Sequence, residues 1–193
     1  MLYLYYFDFC LEPFYKTLTN SLLACDFVLK PALHIRYENC DRFMQGAFIP
    51  ENDQIILCSN VLVEKTDYDN AMKRHLIRLY DYKRSENYNF DNCKHLACTE
   101  VRAALFHSHC NAATERSQFA STFSSSASTK ARTDANEFCV REKAIEMLSE
   151  RDKCSAKAER YVDYVFDKCK TDTAPFSVGS SKRRQVRNLT NVL

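Results

Sequence analysis

Residues 74–81 carry side chains whose types and spacing could do chemistry: Arg74, His75, Arg78 and Asp81. A guanidinium stays protonated and has no lone pair to offer a metal ion. Two arginines four residues apart lie on one helical face and repel each other unless a carboxylate lies close. Asp81, three residues after Arg78, is a candidate for that carboxylate. The alternative is a pair of solvated arginines on an exposed face.

A second group of potential ligands is formed by His107, His109 and Cys110. On a helix the two imidazoles point about 200° apart, so they cannot share one metal ion. We expect two surface histidines beside a disulfide cysteine. The other histidines are isolated in sequence and indicate no site: His34, His75 and His95.

The overall composition excludes several classes of function. Apolar residues make up 46% and charged residues 27% of the 193 residues, which is typical of a globular protein. The net charge of +2 gives no reason to expect a nucleic-acid partner. Two glycines leave no phosphate loop or dinucleotide fingerprint, and no cofactor is predicted.

Ten cysteines are dispersed along the chain, and none of them forms a Cys-x-x-Cys pair. A zinc ribbon or a thioredoxin-type site is therefore not indicated. An even number of dispersed cysteines favours a disulfide framework in an oxidising compartment. The alternative is a reduced protein that uses cysteine as a small apolar residue. The disulfide candidates are Cys10, Cys25, Cys40, Cys58, Cys93, Cys98, Cys110, Cys139, Cys154 and Cys169.

The two ends of the chain bear on its location. Residues 1–9 are apolar, but they lack the basic region and cleavage site of a secretory signal and are too short to span a bilayer. Oxidation without such a signal favours the mitochondrial intermembrane space. The aromatic start is either a surface for a partner or membrane, or a buried first turn. The basic tail is either solvated or in contact with anionic lipid through Lys182, Arg183, Arg184 and Arg187.

Apolar periodicity predicts a mostly helical chain with a small sheet. Helices are predicted from residue 12 or 13 to about 27, over 67–83 and 93–110, and from near 133. Strands are predicted at 33–37 and 55–58, and a loop over 117–130. A last helix over 154–169 places Cys154 and Cys169 on one face about 22 Å apart. These two cysteines cannot bond to each other, so each must join the helix to a different neighbour or stay reduced.

Four stretches carry a family resemblance. The first two are Arg-His-Leu-Ile-Arg-Leu-Tyr-Asp at 74–81 and His-Leu-Ala-Cys-Thr-Glu-Val-Arg-Ala-Ala at 95–104. The other two are Gln-Ile-Ile-Leu-Cys-Ser-Asn at 54–60 and Val-Asp-Tyr-Val-Phe-Asp-Lys-Cys at 162–169, the latter followed by Pro175-Phe176. Over residues 10–176 the chain resembles the family of mitochondrial inner-membrane metalloproteases that process subunit six of ATP synthase and help to assemble it. The resemblance implies an α+β, zincin-like, disulfide-rich fold of about five helices and a small sheet.

The family's His-Glu-x-x-His motif binds Zn²⁺ through its two histidines, and its glutamate activates a water molecule. Here the resemblance places Arg74 and Arg78 at the ligand positions and His75 at the position of the general base. It therefore predicts no metal site and a pseudo-metalloprotease that is not an enzyme. We hypothesise that the paired guanidiniums replace the charge of the lost metal and bridge to Asp81 and to Glu100 on the next helix.

The cysteine positions also depart from those of the family. Members commonly have cysteines where this chain has Tyr37 and Lys83, whereas Cys93 and Cys154 are additions. Two losses and two gains keep the number even. The comparison implies that disulfides were exchanged as whole pairs, and that Cys93 pairs with Cys154.

The resemblance and the composition together give one functional expectation. Residues 1–176 form a degenerate zincin-like domain with an aromatic N-terminal extension, and residues 177–193 form a basic tail. We expect a structural accessory subunit of a mitochondrial inner-membrane complex, ATP synthase or the respiratory chain, peripheral to that membrane on its intermembrane-space side. Its expected partners are the protein subunits of the complex. An assembly chaperone for ATP synthase and an active metalloprotease are the alternatives.

Overall fold

The computed structural model describes residues 12–41, 44–110 and 127–176, with the backbone alone over 127–135. The chain divides into two compact units, one within Met1–Asn89 and Thr173–Leu193 and the other within Phe90–Asp172. The aromatic residues 1–9, most of the 117–130 tract and the tail 177–193 lie outside the described residues. The predicted domain boundary between 176 and 177 stays a prediction.

The first unit combines helices with a small sheet. Both α1 and α2 begin at a proline, a residue whose fixed φ suits the first helical position. Helix α1 buries Tyr15, Leu18 and Leu22, which recur at helical spacing. The elements are α1 (Pro13–Leu23), α2 (Pro31–His34), β1 (Ile35–Glu38), β2 (Gly46–Ile49), β3 (Gln54–Cys58) and α3 (Lys65–Arg84).

The three strands form a sheet in the order β1-β3-β2. Strand β1 runs parallel to β3, and β2 runs antiparallel to β3. Ile55 of the central strand β3 is paired with a residue of each neighbouring strand. Ile55 and Leu57 are fully buried, as expected for alternate residues of a strand that faces a core. Helix α3 packs against β2 and β3 and also contacts α1.

Helix α3 is defined at both ends by polar side chains. At its start, the Asp67 carboxylate accepts a hydrogen bond from the backbone N–H of Glu64 at 3.3 Å. In its last turn, Lys83 and Arg84 place positive charge near the negative end of the helix dipole. The Tyr15 hydroxyl of α1 donates to Asp69, so the two helices are joined by a polar contact.

In the second unit, all the regular elements among the described residues are helices. Its elements are α4 (Cys93–Ala104), α5 (Ala127–Ser149), α6 (Asp152–Ser155) and α7 (Ala158–Cys169). The Asn92 side chain caps α4 by accepting from the N–H of Lys94 at 3.0 Å. Helix α4 packs against both α5 and α7. Arg141 of α5 pairs with Asp163 and Glu159 of α7 at 2.7 and 2.8 Å, which joins those two helices at the surface.

The predicted fold class is confirmed, with five long helices and a three-stranded sheet among the described residues. Several details differ. The predicted loop over 117–130 is helical from Ala127, and the strand predicted at 33–37 begins only at Ile35, after α2. Strand β2 lies in a stretch that the sequence predicted as turns, and α4 ends at Ala104 rather than at residue 110. The predicted helix 154–169 is two helices, because the backbone at Lys157 leaves the helical region at φ −134° and ψ 23°. No helix in the described parts of the chain is long and apolar enough to cross a membrane.

Candidate functional site

Helix α3 carries the residues that the resemblance assigns to the site. Arg74 is 4% exposed, Arg78 is 2% exposed and His75 is fully buried. The alternative of two solvated arginines on an exposed face is therefore excluded. Charged groups so deeply buried must be paired to be tolerated.

Asp81 lies in the same buried row of α3 and pairs with a residue that sequence reasoning missed. The Arg84 Nε lies 2.9 Å from Asp81 Oδ1, and both side chains are at most 1% exposed. The guanidinium of Arg84 also lies 5.2 Å from the centroid of the Tyr80 ring. The spacing of three residues between Asp81 and Arg84 could have revealed this pair.

Glu100, the other predicted bridging partner, is fully buried in α4. The proposed bridges from Arg74 and Arg78 to Asp81 and Glu100 stay predictions. The structure shows one ion pair that was not predicted, between Asp81 and Arg84.

The two ring nitrogens of His75 have different surroundings. Its Nδ1 lies 3.3 Å from Nη1 of Arg78, one helical turn away. Its Nε2 faces strand β2, where a Cβ added to Gly46 would stand 2.9 Å from it. Gly46 is therefore needed because the strand and the imidazole approach each other too closely for a larger residue.

Replacing Gly46 by alanine is expected to destabilise the first unit by about 1–3 kcal/mol, the usual range for overpacking a core. The added Cβ would lie 2.4 Å from the carbonyl oxygen of Ile56, a backbone atom of the neighbouring strand. Urea unfolding measures the loss. Because the Ile56 contact does not involve His75, adding His75→Ala should not restore stability, and full recovery in the double variant would contradict this account.

The family implies a zinc ion at this position, and the residues present do not fit one. Arg74 and Arg78 offer no lone pair, and the imidazole between them has Nδ1 beside a guanidinium and Nε2 against a strand. Within residues 12–41, 44–110 and 127–176, no group of three or more His, Cys, Asp or Glu side chains is arranged to hold a metal ion.

The second ligand group, at residues 107–110, is divided between two roles. Cys110 is bonded to Cys139, and His107 Nδ1 accepts a hydrogen bond from the backbone N–H of His109 at 3.2 Å. This arrangement agrees with two histidines beside a disulfide cysteine.

His34 contacts the ring of Phe27 and accepts a hydrogen bond from the backbone N–H of Lys30 at 2.9 Å. Burial lowers the pKa of His34 and of His95 below the ordinary value.

Eight of the ten cysteines form four disulfides, so a disulfide-rich fold is confirmed. The predicted Cys93–Cys154 bond is present. The expectation that Cys154 and Cys169 join different neighbours is wrong, because both bond to α4. Cys25 is a free thiol whose pKa is raised by burial, and Cys10 lies outside the described residues. The pairs are Cys40–Cys58, Cys93–Cys154, Cys98–Cys169 and Cys110–Cys139.

Comparison with known proteins finds relatives among proteins named "Mitochondrial inner membrane protease ATP23 homolog". The one from Danio rerio is 31% identical over 166 residues, which cover 86% of this chain and 62% of the relative. The one from Homo sapiens is 28% identical over 168 residues, with 86% and 64% covered. A "Mitochondrial inner membrane protease ATP23" from Debaryomyces hansenii is 30% identical over 144 residues, with 71% and 55% covered. The chain thus spans less than two thirds of each of these relatives, and no solved structure matches it.

These relatives correct one prediction made from the sequence. The chain was expected not to be an enzyme, because arginines occupy the ligand positions of the zinc motif. Its relatives are named as proteases, so the classification as a non-enzyme is wrong. The prediction of a non-enzyme was based on a few residues of α3, whereas the similarity to the relatives extends over most of the chain. The model of the peptidase M76 family matches residues 8–177, and the chain belongs to that family.

Proposed function

We propose that this chain works at the mitochondrial inner membrane, peripheral to it on the intermembrane-space side, as an accessory subunit of a protein complex. The names of its relatives place those proteins at the inner membrane, and this supports the location. The four disulfides support it as well, because disulfides persist in oxidising compartments.

One observation on α3 carries the subunit role. The family model matches the chain from residue 8 to residue 177, so the body of the family is kept almost throughout. Within that body, Arg74 and Arg78 are buried where the resemblance places zinc ligands. The chain retains similarity to the family over this range, but its residues at the metal-binding positions have changed. This combination supports a role in binding other proteins.

The proposed partners are protein subunits of ATP synthase or of the respiratory chain. Assembly of ATP synthase as a chaperone is the alternative role at the same membrane. The tail 177–193 is proposed to contact anionic lipid, because it carries four basic residues and no acidic one.

Quantitative mass spectrometry across a native gel of gently solubilised mitochondrial membranes tests this function. We expect the chain to co-migrate with a mature complex at near-equal stoichiometry. If the chain appears in small amounts with immature intermediates, it is a chaperone. If it is absent from the membrane fraction altogether, the proposed location is wrong.

Peptide hydrolysis is the second candidate function, and the names of the relatives favour it. Because α3 cannot hold zinc, we expect any cleavage of an unfolded test protein by the purified chain to persist in a zinc chelator. The Danio rerio relative, assayed beside it with and without chelator, is the control for the assay. Cleavage that stops on chelation and returns with zinc would contradict the account of α3. No cleavage by this chain, beside an active relative, would reject the second candidate.

A further inference from the structure

The buried row of α3 assigns His75 a role that does not depend on the proposed function. An arginine side chain carries only hydrogen-bond donors, whatever its surroundings. In the contact of 3.3 Å between Arg78 Nη1 and His75 Nδ1, the imidazole nitrogen must therefore be the acceptor. Because Nδ1 accepts, the proton of the neutral ring lies on Nε2, the nitrogen that faces Gly46.

The contact between Arg78 and His75 is buried, and it therefore matters for stability. Arg78 is 2% exposed and His75 is fully buried, so neither group is screened by solvent. A buried guanidinium needs acceptors for its donors, and a missing acceptor costs far more inside a protein than at the surface. Asp81 with Arg84 continues the same row one turn later.

We infer that His75 is a neutral hydrogen-bond acceptor for the buried Arg78 guanidinium, so that the segment corresponding to a zinc site is held together without a metal ion. This is a positioning role: His75 fixes Arg78, and Gly46 leaves the space in which the imidazole sits. The full chain should consequently fold to the same stability whether or not zinc is present.

Two substitutions separate an acceptor role from a space-filling one. His75→Leu fills the core but cannot accept a hydrogen bond, and we expect it to lower Tm. His75→Gln retains an oxygen that can accept from Arg78, and we expect it to keep most of the wild-type Tm. A His75→Leu chain as stable as the wild type would overturn the acceptor role, and so would equal losses in the two variants.

The tautomer and the metal are tested on the unmodified chain. Nitrogen-15 NMR of a histidine-labelled sample, assigned by comparison with His75→Gln, should show His75 protonated on Nε2 and unprotonated on Nδ1. One equivalent of zinc chloride should leave these two resonances unchanged, and neither zinc nor chelator should shift Tm, whereas zinc bound to the folded state would raise it. Protonation on Nδ1, or a His75 resonance that moves with zinc, would overturn the inference.

Discussion

Replacing Asp81 by alanine is expected to lower the free energy of unfolding by about 3–5 kcal/mol, the cost of breaking a buried ion pair from one side. Arg84 would keep its charge at a site where its side chain is 1% exposed, without the carboxylate that lies 2.9 Å from it. The low dielectric of the surroundings makes that charge expensive. Urea unfolding of the oxidised chain, followed by circular dichroism, measures the difference.

Glu38→Ala is the matched control in the same unit. Glu38 also pairs with an arginine, Arg36, at 3.2 Å, but the two side chains are 41% and 56% exposed. An exposed pair is worth little, and we expect a change below about 0.5 kcal/mol. Removing both members of the buried pair, as Asp81→Ala with Arg84→Met, should recover part of the loss because the charge of Arg84 is then removed together with its carboxylate. A double variant less stable than Asp81→Ala would contradict this explanation.

Removing the Cys98–Cys169 disulfide with two alanines is expected to cost the second unit about 3 kcal/mol. Cys98 and Cys169 are separated by 71 residues in the sequence. This separation by itself would suggest a larger loss of stability, since longer loops lose more entropy on closure. However, the Cys93–Cys154 bond already joins the same parts of the chain. The shortest path from Cys98 to Cys169 in the unfolded chain runs through that bond and is roughly 20 residues long, and this shorter loop sets the estimate.

Cys25→Ala is the control, because Cys25 is a free thiol and its loss opens no loop. We expect the control to change stability by less than about 0.5 kcal/mol. Unfolding in urea without reductant keeps the other three disulfides closed in all variants. A loss near zero for the Cys98/Cys169 variant would mean that the packing of α4 on α7 holds the unit without that bond.

The parts of the fold that depend on local pattern could be predicted from the sequence. Helix α3 was expected over 67–83 and spans Lys65–Arg84, because its apolar spacing and its acidic start are both local signals. The buried residues Val162, Val165 and Cys169 of α7 follow helical spacing for the same reason. Strand β2 could not be predicted, since its four residues gain their strand partners from β3 and not from their own sequence.

The candidate site divides in the same way. The resemblance located Arg74, His75, Arg78 and Asp81. Helical spacing indicated that the two arginines lie on one face, with Asp81 three residues after Arg78. The sequence could not indicate that Gly46 leaves space for His75. Gly46 lies in another element, β2, and its small size matters only because β2 packs on α3. The burial of the arginines likewise depends on tertiary packing, which is why the sequence left a solvated pair as an alternative.

The disulfides of the second unit have a consequence for a chain that is cut. The Cys93–Cys154 and Cys98–Cys169 bonds interleave along the chain, and Cys110–Cys139 is enclosed by both. A break in the backbone between Cys98 and Cys110 leaves two fragments joined by two bonds, and a break between Cys110 and Cys139 leaves them joined by three. The polypeptide can therefore lose its continuity in this region and remain one molecule until a reductant separates the fragments.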